Sequence, residues 1–313
     1  MIVTVTPNGS VDTVLRRVGQ PGEEEQQVLP VAQTAGGKGH NVARFLAAAD
    51  QEVIACGFVG GWAGREMDAL LQEAGVSPRL TPTAQPTRRY LTCLGEGQPR
   101  QSLHAPGPTV TTGECRQLVA DVVAVARGAA AVVLAGSLPP GAPAGLVVAI
   151  IRGVAPVPLV LDTSGAALAA GVAARPRMVK VNASEARGLL ASTAFGHGTV
   201  VEDRPEAWWA ALRGLAGGTG VPTWWVTLGL CGAIGLVDGE PVSIGSPTVR
   251  VVNTTGAGDA FLAGLLLAEL DGADVQAAAF RAAAMAAAVC EGEAPLPPDP
   301  ARVAALVAGM VTR

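Results

Sequence analysis

Aromatic side chains are scarce in this chain of 313 residues, in which Phe, Trp and Tyr together make up only 4%. Positive charge is also in deficit, with 22 Lys and Arg against 26 Asp and Glu and a formal net charge of −4. Nucleic-acid-binding proteins usually combine a basic surface with stacking aromatic residues, and an acidic protein has no broad attraction to anionic membranes. The composition therefore argues against both partners, and it leaves small molecules held in a pocket as the expected ligands.

Apolar runs long enough to cross a bilayer are missing as well. The longest stretches, Ala260–Ala268 and Ala282–Cys290, stop at Glu269 and Glu291, short of the roughly 18–20 residues that a bilayer requires. The N-terminal segment has neither the cationic start nor the long apolar core of a secretion signal. We therefore expect a cytoplasmic protein without a membrane span, in which 49% hydrophobic residues supply a large packed core.

Cysteine and histidine do not form a metal-binding pattern. The five cysteines are scattered without a Cys-x-x-Cys pair, and the three histidines show no ligand spacing. Scattered cysteines in odd number are typical of reduced thiols, whereas zinc sites use closely spaced ligands. The sequence thus disfavours both a disulfide scaffold and a zinc enzyme.

Apolar, β-branched runs alternate with alanine-rich stretches along most of the chain, which is typical of a sheet covered by helices. The pattern predicts strands at Val53–Val59, Ala131–Ala135, Pro158–Leu161, Met178–Val181, Trp224–Thr227 and Ala233–Val237. It predicts helices at Arg65–Ala74, near Pro143–Ile151, at Ala260–Ala268, at Ala282–Cys290 and at Ala301–Met310. Polar or glycine-rich loops follow several of the strands, and open α/β sheets place their ligands at such strand ends.

Two segments interrupt this alternation with mixed polarity, Thr13–Thr34 and Thr87–His104. Glycines in Gly95–Gly97 predict a hairpin turn within the second segment. We expect the two segments to form a small separate sheet that covers a cleft of the main domain.

A row of small residues precedes a carboxylate in Asn253–Asp259, immediately before an apolar helical run. Glycines let backbone N–H groups converge on an anion, and a helix N-terminus adds partial positive charge. The amides of Gly256, Ala257 and Gly258 would then hold a transferring phosphoryl group. Asp259 would accept the proton of the attacking hydroxyl as catalytic base. Taken alone, so short a glycine motif more often indicates a loop whose Asp caps a helix.

A second glycine-rich motif lies near the N-terminus, with Gly36, Gly37 and Gly39 just before Asn41 and an alanine-rich segment. Three glycines allow close backbone approach to a polyhydroxylated ligand, and Asn41 can donate to and accept from hydroxyls. Lys38 supplies a point charge for a phosphate, although the segment is not a Walker A loop. The alternative is a flexible turn that leads into a helix.

The two glycine motifs resemble both signature motifs of the ribokinase-like (PfkB) carbohydrate kinases, and they occur in the same order along the chain. The segments at Gly36–Arg44, Gly136–Gly141 and Leu161–Gly165 are most similar to the branch that contains 1-phosphofructokinase and tagatose-6-phosphate kinase. The resemblance covers nearly the whole chain. It implies a single three-layer α/β/α domain over residues 1–313, with a mainly parallel central sheet and a β-sheet lid formed from about 12–34 and 87–106.

The resemblance also implies a sugar site. Asp12 falls where the family grips sugar hydroxyls, and Arg88 falls where it holds the phosphate that the substrate already carries; a planar guanidinium suits that task. The remaining implied substrate-binding residues are Gly36, Gly37, Lys38, Asn41 and Ser137. Without the family, Asp12 would fit a turn after the first strand, and Arg88 with Arg89 would fit a solvated face.

A nucleotide site is implied by two further segments. Lys180–Glu185 resembles the Asn-x-x-Glu element of the family, in which Asn182 and Glu185 would organise the ATP phosphates and Mg²⁺. Glu185 would reach the ion through water, because Mg²⁺ keeps much of its hydration, and Lys180 would lie near the nucleotide. A glycine loop beside the phosphates would contribute Thr227, Gly229 and Gly232. On their own, the two segments would be a helix start and a β-turn.

Several positions depart from the family pattern. Gly9 stands where this branch has proline, and His40 replaces an apolar residue. Tyr90 and Thr92 replace an asparagine and a lysine, and His104 begins a His-Ala-Pro-Gly-Pro run in place of Asn-Glu-Pro-Gly-Pro. Because these changes cluster around the lid and the sugar pocket, they leave the identity of the sugar open.

The resemblance predicts a kinase that uses ATP and Mg²⁺, with phosphorylation of D-fructose 1-phosphate to fructose 1,6-bisphosphate as the preferred reaction. Tagatose 6-phosphate or fructose 6-phosphate is the first alternative substrate, followed by a sugar or nucleoside without phosphate, and then by a non-catalytic sugar- or nucleotide-binding protein. A nicotinamide-dependent dehydrogenase is disfavoured, because no GxGxxG follows the first strand. The predicted helix at Ala282–Val289 lacks asparagines that some relatives use near adenine, so nucleotide preference is open. Pairing of two lids would give a homodimer.

Overall fold

The computed structural model describes residues 1–18, 27–95, 100–192 and 205–311 of the chain. The strands are β1 (Ile2–Thr6), β2 (Ser10–Val18), β3 (Gln27–Gly36), β4 (Val53–Val59), β5 (Ser77–Pro82), β6 (Arg88–Leu94), β7 (Gln101–His104), β8 (Ala131–Ala135), β9 (Leu159–Asp162), β10 (Met178–Asn182), β11 (Thr223–Thr227), β12 (Ala233–Val237) and β13 (Glu240–Ile244). The helices are α1 (Lys38–Ala47), α2 (Gly61–Glu73), α3 (Thr112–Ala126), α4 (Gly145–Gly153), α5 (Gly165–Ala173), α6 (Ala183–Ala191), α7 (Pro205–Thr219), α8 (Ala257–Leu270), α9 (Val275–Cys290) and α10 (Pro300–Val311). A short 3₁₀ turn spans Gly229–Cys231.

The central sheet has nine strands in the order β13-β12-β11-β10-β9-β8-β1-β4-β5. The seven strands from β11 to β5 pair in parallel, and only β12 and β13 are antiparallel to their neighbours. Helices connect most of the parallel strands, as parallel pairing requires a crossover. The mainly parallel sheet predicted from the sequence is therefore confirmed.

Two hydrophobic cores lie on opposite faces of this sheet. One core joins the sheet to α3, α4, α5, α6 and α7, and it includes Val3 and Val5 of β1. The other joins the sheet to α1, α2, α8 and α9, and it includes Ile2 of the same strand. Neighbouring side chains of a strand point to opposite faces, so a continuous apolar run can fill both cores. The result is the predicted three-layer α/β/α arrangement.

The predicted strands agree closely with the structure, and the two edge strands of the central sheet, β5 and β13, were not predicted. β4, β8 and β12 have the predicted bounds, whereas β9, β10 and β11 each differ by one residue at one end or both. The omitted strand β13 follows a tight turn at Asp238 and Gly239, which have positive φ values of 49° and 95°. Asp-Gly is a strong hairpin signal, but the strand that follows contains proline and no regular apolar alternation.

The predicted helices exist, but their ends were less well predicted. α2 begins at Gly61 rather than Arg65, and α4 spans Gly145–Gly153 rather than Pro143–Ile151. α3, α5 and α7 were not predicted. For α3 a signal was present in the sequence, because Thr111 and Glu114 form a capping box at its start. Within the described ranges, no helix has the length and apolar character needed to cross a membrane.

A separate four-stranded sheet has the order β3-β2-β6-β7, and its strands come from the two segments of mixed polarity. Asp12 of β2 pairs in register with Tyr90 of β6, and Tyr90 pairs with His104 of β7. Residues in register share a face of the sheet, so these three side chains lie side by side. β6 and β7 are antiparallel; most of the turn predicted at Gly95–Gly97 lies outside the described residues. We refer to this sheet as the lid.

Candidate active site

Polar residues stand at the carboxyl ends of four neighbouring parallel strands. Ser137 follows β8, Asp162 ends β9, Asn182 ends β10 and Thr227 ends β11. Carboxyl ends of parallel strands meet at one edge of a sheet, where open α/β folds bind their ligands. The first turn of α8 also lies there, because Gly258 packs against the side chain of Lys180 from β10. The strand ends and the α8 N-terminus together form the candidate site.

Asp259, in the first turn of α8, is a buried carboxylate with 6% of its surface exposed. Its Oδ2 accepts a 2.7 Å hydrogen bond from Nδ2 of Asn41 on α1. Burial, and then the negative charge of Asp162, raise the pKa of Asp259 to about 6. Lys180, the Asn41 hydrogen bond and Lys38 oppose this rise. A carboxylate that titrates close to neutral pH is suited to accept a proton.

The loop before α8 leaves backbone amides available at the helix N-terminus. Gly256 is the N-cap in the left-handed region, with φ 81° and ψ −7°, and no side chain of the described residues caps the helix. A Cβ at Gly258 would lie only 2.7 Å from Nζ of Lys180. The ammonium group therefore sits directly against the first turn. The N–H of Ala257 donates to the backbone oxygen of Thr254 at 3.3 Å, so the helix dipole, the amides of Gly256 and Gly258 and the lysine charge form the site for an anion.

Asp162 binds two lysines that the sequence analysis assigned to different ligands. Its Oδ1 accepts from Nζ of Lys38 at 2.6 Å, and its Oδ2 accepts from Nζ of Lys180 at 2.8 Å. Burial alone would raise the pKa of Asp162, but Lys180 and Lys38 outweigh burial and hold that pKa below its ordinary value. Asp162 is therefore a buried anion that fixes both ammonium groups.

Lys38 bridges two carboxylates, because its Nζ also donates to Oε1 of Glu185 at 2.9 Å. Burial alone would lower the pKa of Lys38, but Asp162 and Glu185 raise it above its usual range. Lys38 lies between the ends of β9 and β10, where Asp162 and Glu185 balance part of its charge. Its predicted contact with the sugar phosphate stays a prediction.

The contacts of Glu185 bear on both interpretations of its segment, a nucleotide site and a helix start. Its Oε2 accepts from the backbone N–H of Asn182, whose side chain accepts from the N–H of Glu185, so the pair forms a capping box at the start of α6. The alternative of a helix start at this segment is thus confirmed by the capping box. The other oxygen of Glu185 faces Lys38 and so remains at the candidate site.

Asp12 of β2 is the residue predicted to contact the hydroxyls of the sugar. Its Oδ1 accepts a hydrogen bond from Oγ of Ser10 at 2.5 Å, and a Cβ at Gly36 would lie 1.9 Å from its Cγ. Position 36 must therefore be glycine for the carboxylate to lie over the backbone. Burial raises the pKa of Asp12, while Ser10, Arg88 and Arg44 oppose that rise. Asp12 thus lies within strand β2 and not in a turn, and its contact with sugar hydroxyls stays a prediction.

Arg88 lies at the border between lid and main domain. Its Nη2 donates to the backbone oxygen of Asn8 at 2.9 Å, and its Nη1 donates to that of Ala105 at 3.3 Å. Burial lowers the pKa of Arg88, opposed by Asp12 and Tyr90. Arg89, in contrast, pairs with Glu66 at the surface. The solvated-face alternative fits the second arginine only.

Ser137 reaches the same region through Asn8. Nδ2 of Asn8 donates to Oγ of Ser137 at 3.3 Å and to the backbone oxygen of Pro106 at 3.1 Å. Asn8 thereby links the loop after β1, the loop after β8 and the end of the lid. Asn8 was not predicted as a site residue, although the position of Asn8 directly after β1 is a signal that could have identified it.

A cavity of about 530 Å³ opens beside the N-terminus of α8. The predicted nucleotide residues that line it are Asn182, Thr227, Gly229 and Gly232, together with Ala257 and Gly258 of the anion site. Its wall on the helix side is apolar and includes Phe261, Ala283 and Ala287. A cavity with one polar, anion-binding end and one apolar end is suited to a nucleotide.

The described residues offer limited protein ligands for Mg²⁺. Among them, no three His, Cys, Asp or Glu residues cluster around a common point, and Asp162 is already paired through both oxygens. Glu185 is near the cavity through Asn182. This donor set fits an ion held mainly by phosphate oxygens and water, which is the usual coordination of Mg²⁺ in nucleotide sites.

Gly9 and His40, two of the departures from the family pattern, pack against each other. A Cβ at Gly9 would lie 2.7 Å from Cε1 of His40, so the histidine ring occupies the space next to the glycine. Nδ1 of His40 lies 2.9 Å from the backbone oxygen of Gly36, and the carbonyl requires that this nitrogen donates. Burial lowers the pKa of His40 to about 4, so a neutral ring supports the first glycine motif.

Tyr90 and His104 form a second such pair. Their rings stack with centroids 5.5 Å apart and an interplanar angle of 9°, on the lid face that also carries Asp12. Aromatic stacking of this kind adds modest stability.

Three residues at the site were not selected from the sequence: Asp162, Asn8 and Arg44. Asp162 could have been identified, because it ends an apolar strand in the same way as Asn182. Arg44 carried no such signal, since an arginine in a helix is usually exposed. The structure buries it beside Asn41.

Comparison with known proteins places this site in a family. A family model described as pfkB family carbohydrate kinase matches residues 9–302. The structure of phosphofructokinase-2 from Escherichia coli in complex with fructose-6-phosphate shares 24% identity and a TM-score of 0.86, with 99% of each chain covered.

Two further solved structures come from Thermotoga maritima. A protein described as a possible 1-phosphofructokinase shares 21% identity and a TM-score of 0.86, with 98% of this chain and 97% of that chain covered. A ribokinase shares 19% identity and a TM-score of 0.72, with 98% and 99% covered. At these identities the likeness concerns the fold. Since the family model spans nearly the whole chain, including both glycine motifs, the chain belongs to the pfkB family of carbohydrate kinases and is a phosphotransferase with an alcohol group as acceptor.

Proposed function

We propose that the chain transfers the terminal phosphoryl group of ATP to the free primary hydroxyl of a ketohexose phosphate, with D-fructose 1-phosphate as the preferred acceptor and fructose 1,6-bisphosphate as the product. The observation that carries the proposal is the contact between the two glycine motifs, since Asn41 of the first donates to Asp259 of the second at 2.7 Å. The acceptor hydroxyl would stand at this junction.

Asp259 is the proposed proton acceptor. With a pKa of about 6, it is mainly ionised at pH 7.5 and can still hold a proton as the hydroxyl becomes a phosphate ester. The proton moves from the hydroxyl oxygen to the carboxylate while the new O–P bond forms and the bond from phosphorus to the leaving oxygen of ADP breaks. Asp12 would orient neighbouring hydroxyls of the sugar.

The transferring group would be stabilised by the N-terminus of α8. The amides of Gly256, Ala257 and Gly258 and the ammonium of Lys180 are held in place before the substrate arrives, so little reorganisation is needed as charge develops. Lys38, fixed by Asp162 and Glu185, lies close enough to Lys180 through their shared partner to add positive charge.

The nucleotide would occupy the 530 Å³ cavity, with its phosphates toward Gly258 and its base against the apolar wall. Asn182, Thr227, Gly229 and Gly232 would contact the phosphates. Mg²⁺ would neutralise phosphate charge when bound, and Glu185 would help to hold it through water.

The phosphate already on the sugar would lie toward the lid, near Arg88. This arginine is half-buried beside Asp12 and uses two of its donors on backbone carbonyls, so it retains donors for a phosphate oxygen. Fructose 6-phosphate is the main alternative acceptor, because the similar structure from Escherichia coli was determined with that compound.

The deciding experiment is ATP-dependent phosphorylation of a panel: fructose 1-phosphate, fructose 6-phosphate, tagatose 6-phosphate, fructose, ribose and adenosine. We expect the highest kcat/KM for fructose 1-phosphate, and a loss of kcat of about 10³-fold or more in Asp259→Asn with nucleotide binding retained. Higher kcat/KM for a sugar without phosphate would overturn the phosphosugar assignment. A kcat for Asp259→Asn close to that of the unmodified chain would overturn the role of Asp259.

A further inference from the structure

Arg44, on α1, is a buried cation in contact with the candidate site. It is only 3% exposed. One nitrogen, Nη2, donates to Oδ1 of Asn41 at 2.7 Å and to the backbone oxygen of Pro295 at 2.9 Å. Its Nε has no hydrogen-bond partner among the described residues. Burying a charged side chain that is only partly satisfied is costly, so its position calls for an explanation beyond packing.

The hydrogen bond from Arg44 decides the orientation of the Asn41 amide. A guanidinium can only donate, so the group of Asn41 that faces Arg44 must be the oxygen. The NH₂ group of Asn41 then faces Asp259, as observed at 2.7 Å. An asparagine amide is otherwise nearly symmetric in shape and could rotate to place either end toward the carboxyl group.

We propose that Arg44 is a positioning residue for the proton acceptor: it holds the amide of Asn41 so that an N–H group, and not the oxygen, faces Asp259. The proposal rests on the proposed function, in which Asp259 takes the proton of the acceptor hydroxyl. It also assigns a purpose to a buried arginine that donates to Asn41 and to the backbone of Pro295.

The orientation matters because the two ends of an amide favour opposite protonation states. An N–H group stabilises the ionised carboxylate, whereas an amide oxygen would accept a hydrogen bond from a protonated carboxyl group and keep the proton there. Arg44 therefore keeps Asp259 ready to accept. Burial lowers the pKa of Arg44 to about 10, and the carboxylates of Asp12 and Asp259 oppose that lowering, so the guanidinium remains a charged donor to Asn41.

The other charged groups around Asp259 come from β9, β10 and α1, and none of them is altered by a substitution at Arg44. Asp162 of β9 raises the pKa of Asp259, and Lys180 of β10 and Lys38 at the start of α1 lower it. His40 of α1 lies nearby along the helix and is neutral near pH 7, because burial lowers its pKa to about 4. A change in the titration of Asp259 can thus be assigned to the Arg44–Asn41 pair.

The test compares Arg44→Met, Arg44→Gln and Arg44→Lys with the unmodified chain. Met removes both charge and donor, Gln keeps polarity but can present a donor or an acceptor to Asn41, and Lys keeps charge and donates only. The control is Arg281→Met, because Arg281 pairs at the surface with Asp271. Thermal melting of each variant establishes folding before titration.

The primary readout is the pKa of Asp259 measured by ¹³C NMR on protein labelled at the Asp carboxyl carbons, with the signal assigned by its loss in Asp259→Asn. We expect the pKa to rise by about one pH unit in Arg44→Met and by about half a unit in Arg44→Gln, with little change in Arg44→Lys. The acidic limb of the kcat profile should move with it, so that kcat at pH 6.5 falls about threefold in Arg44→Met.

A folded Arg44→Met whose Asp259 titrates as in the unmodified chain would overturn the proposal, and so would a loss of thermal stability alone. If Arg44→Met does not fold, the comparison of Arg44→Gln with Arg44→Lys decides, and equal pKa values in those two would overturn it. The NMR titration needs no substrate. Should the unmodified chain phosphorylate nothing in the panel, the proposed function fails while the inference about Arg44 is still judged on the titration.

Discussion

Asp259 illustrates how a single side chain at this site is placed at the expense of stability. Its carboxyl group is buried, and its pKa of about 6 lies above the ordinary 3.8. Between these two values the unfolded chain releases the proton first, so the folded state becomes less stable as pH rises from about 4 to about 6 and stays so above that range. Ionisable groups with strongly shifted pKa values are concentrated at functional sites, which agrees with the proposed role of Asp259.

We therefore predict that Asp259→Asn stabilises the fold at neutral pH. The amide is uncharged, so the free energy of unfolding should increase by roughly 1–3 kcal/mol at pH 7.5. Most of this gain should be lost by pH 4, where the carboxyl group of the folded state is protonated and that of the unfolded state is close to its ordinary pKa of 3.8. Urea denaturation at the two pH values measures the effect. Asp271→Asn, at an exposed position paired with Arg281, is the matched control and should show no gain. Equal effects at both pH values would contradict the explanation.

Among the secondary-structure elements, the start of α8 carries the strictest backbone requirement. Gly256 has a φ of 81° and caps the helix, and a Cβ there would lie 2.6 Å from Cβ of Pro295. A non-glycine residue would be strained by its backbone and would clash. The amides of the anion site depend on this one conformation.

Gly256→Ala should accordingly destabilise the protein by about 1–3 kcal/mol and lower kcat at least about tenfold. The matched control is Gly188→Ala in the middle of α6, where no heavy atom lies within 4 Å of the added Cβ. That change should raise the free energy of unfolding by about 0.5–1 kcal/mol, because alanine favours helix. Chemical denaturation and steady-state kinetics test both variants. Retention of full kcat in Gly256→Ala would show that the anion site tolerates another geometry.

The lid contacts the same loop through side chains rather than through the backbone. Arg100 donates from Nη1 to Oδ1 of Asn253 at 2.7 Å, and that oxygen also accepts from the N–H of Thr255 at 2.9 Å. Arg16 of β2 pairs at 2.5 Å with Glu293, which lies after α9, and the backbone oxygen of Glu293 accepts from Nδ2 of Asn253 at 2.8 Å. These contacts connect lid position with the loop that precedes α8.

We predict that Arg100→Ala loosens closure of the lid. Surface ion pairs and hydrogen bonds contribute little to stability, so melting should be almost unchanged. KM for the sugar phosphate should increase about three- to tenfold, and hydrolysis of ATP without transfer should rise, because water gains access to the site. The ratio of ADP released to phosphosugar formed is the measurement. Arg302→Ala, which breaks a surface pair with Glu291, should leave this ratio unaltered; a similar rise there would indicate a general effect of surface charge.

For the assembly of the complete protein, family resemblance predicts a homodimer through the lid. Leu29 on edge strand β3 and Leu103 on edge strand β7 are each 53% exposed, and exposed edge strands with apolar side chains tend to pair. Leu29→Glu should therefore shift the chain from dimer to monomer, as measured by size-exclusion chromatography with light scattering. Leu296→Glu, at an exposed position in the main domain, is the control. A chain that is monomeric without substitution would contradict the prediction.

Much of this architecture could be read from local patterns. The bounds of β4, β8 and β12 follow from short apolar runs between turn residues. Both glycine motifs are recognisable because several small residues, mainly glycines, precede a polar residue and a helix. The capping box at Thr111 was readable too, although it was overlooked. Helix starts were less certain, as at Gly61 of α2, because a helix end depends on tertiary contacts as well as on local propensity.

By itself the sequence determined which side chains are chemically able to act: a carboxylate after small residues in Asp259, and polar residues after apolar strands, including Asp162. Only the tertiary structure decided how they are paired. Lys38 and Lys180 share Asp162, Gly9 makes room for His40, and Arg44 turns the amide of Asn41 toward Asp259. Such pairs join residues far apart in the chain, and the energies that select them arise from burial and charge in three dimensions, which no local pattern records.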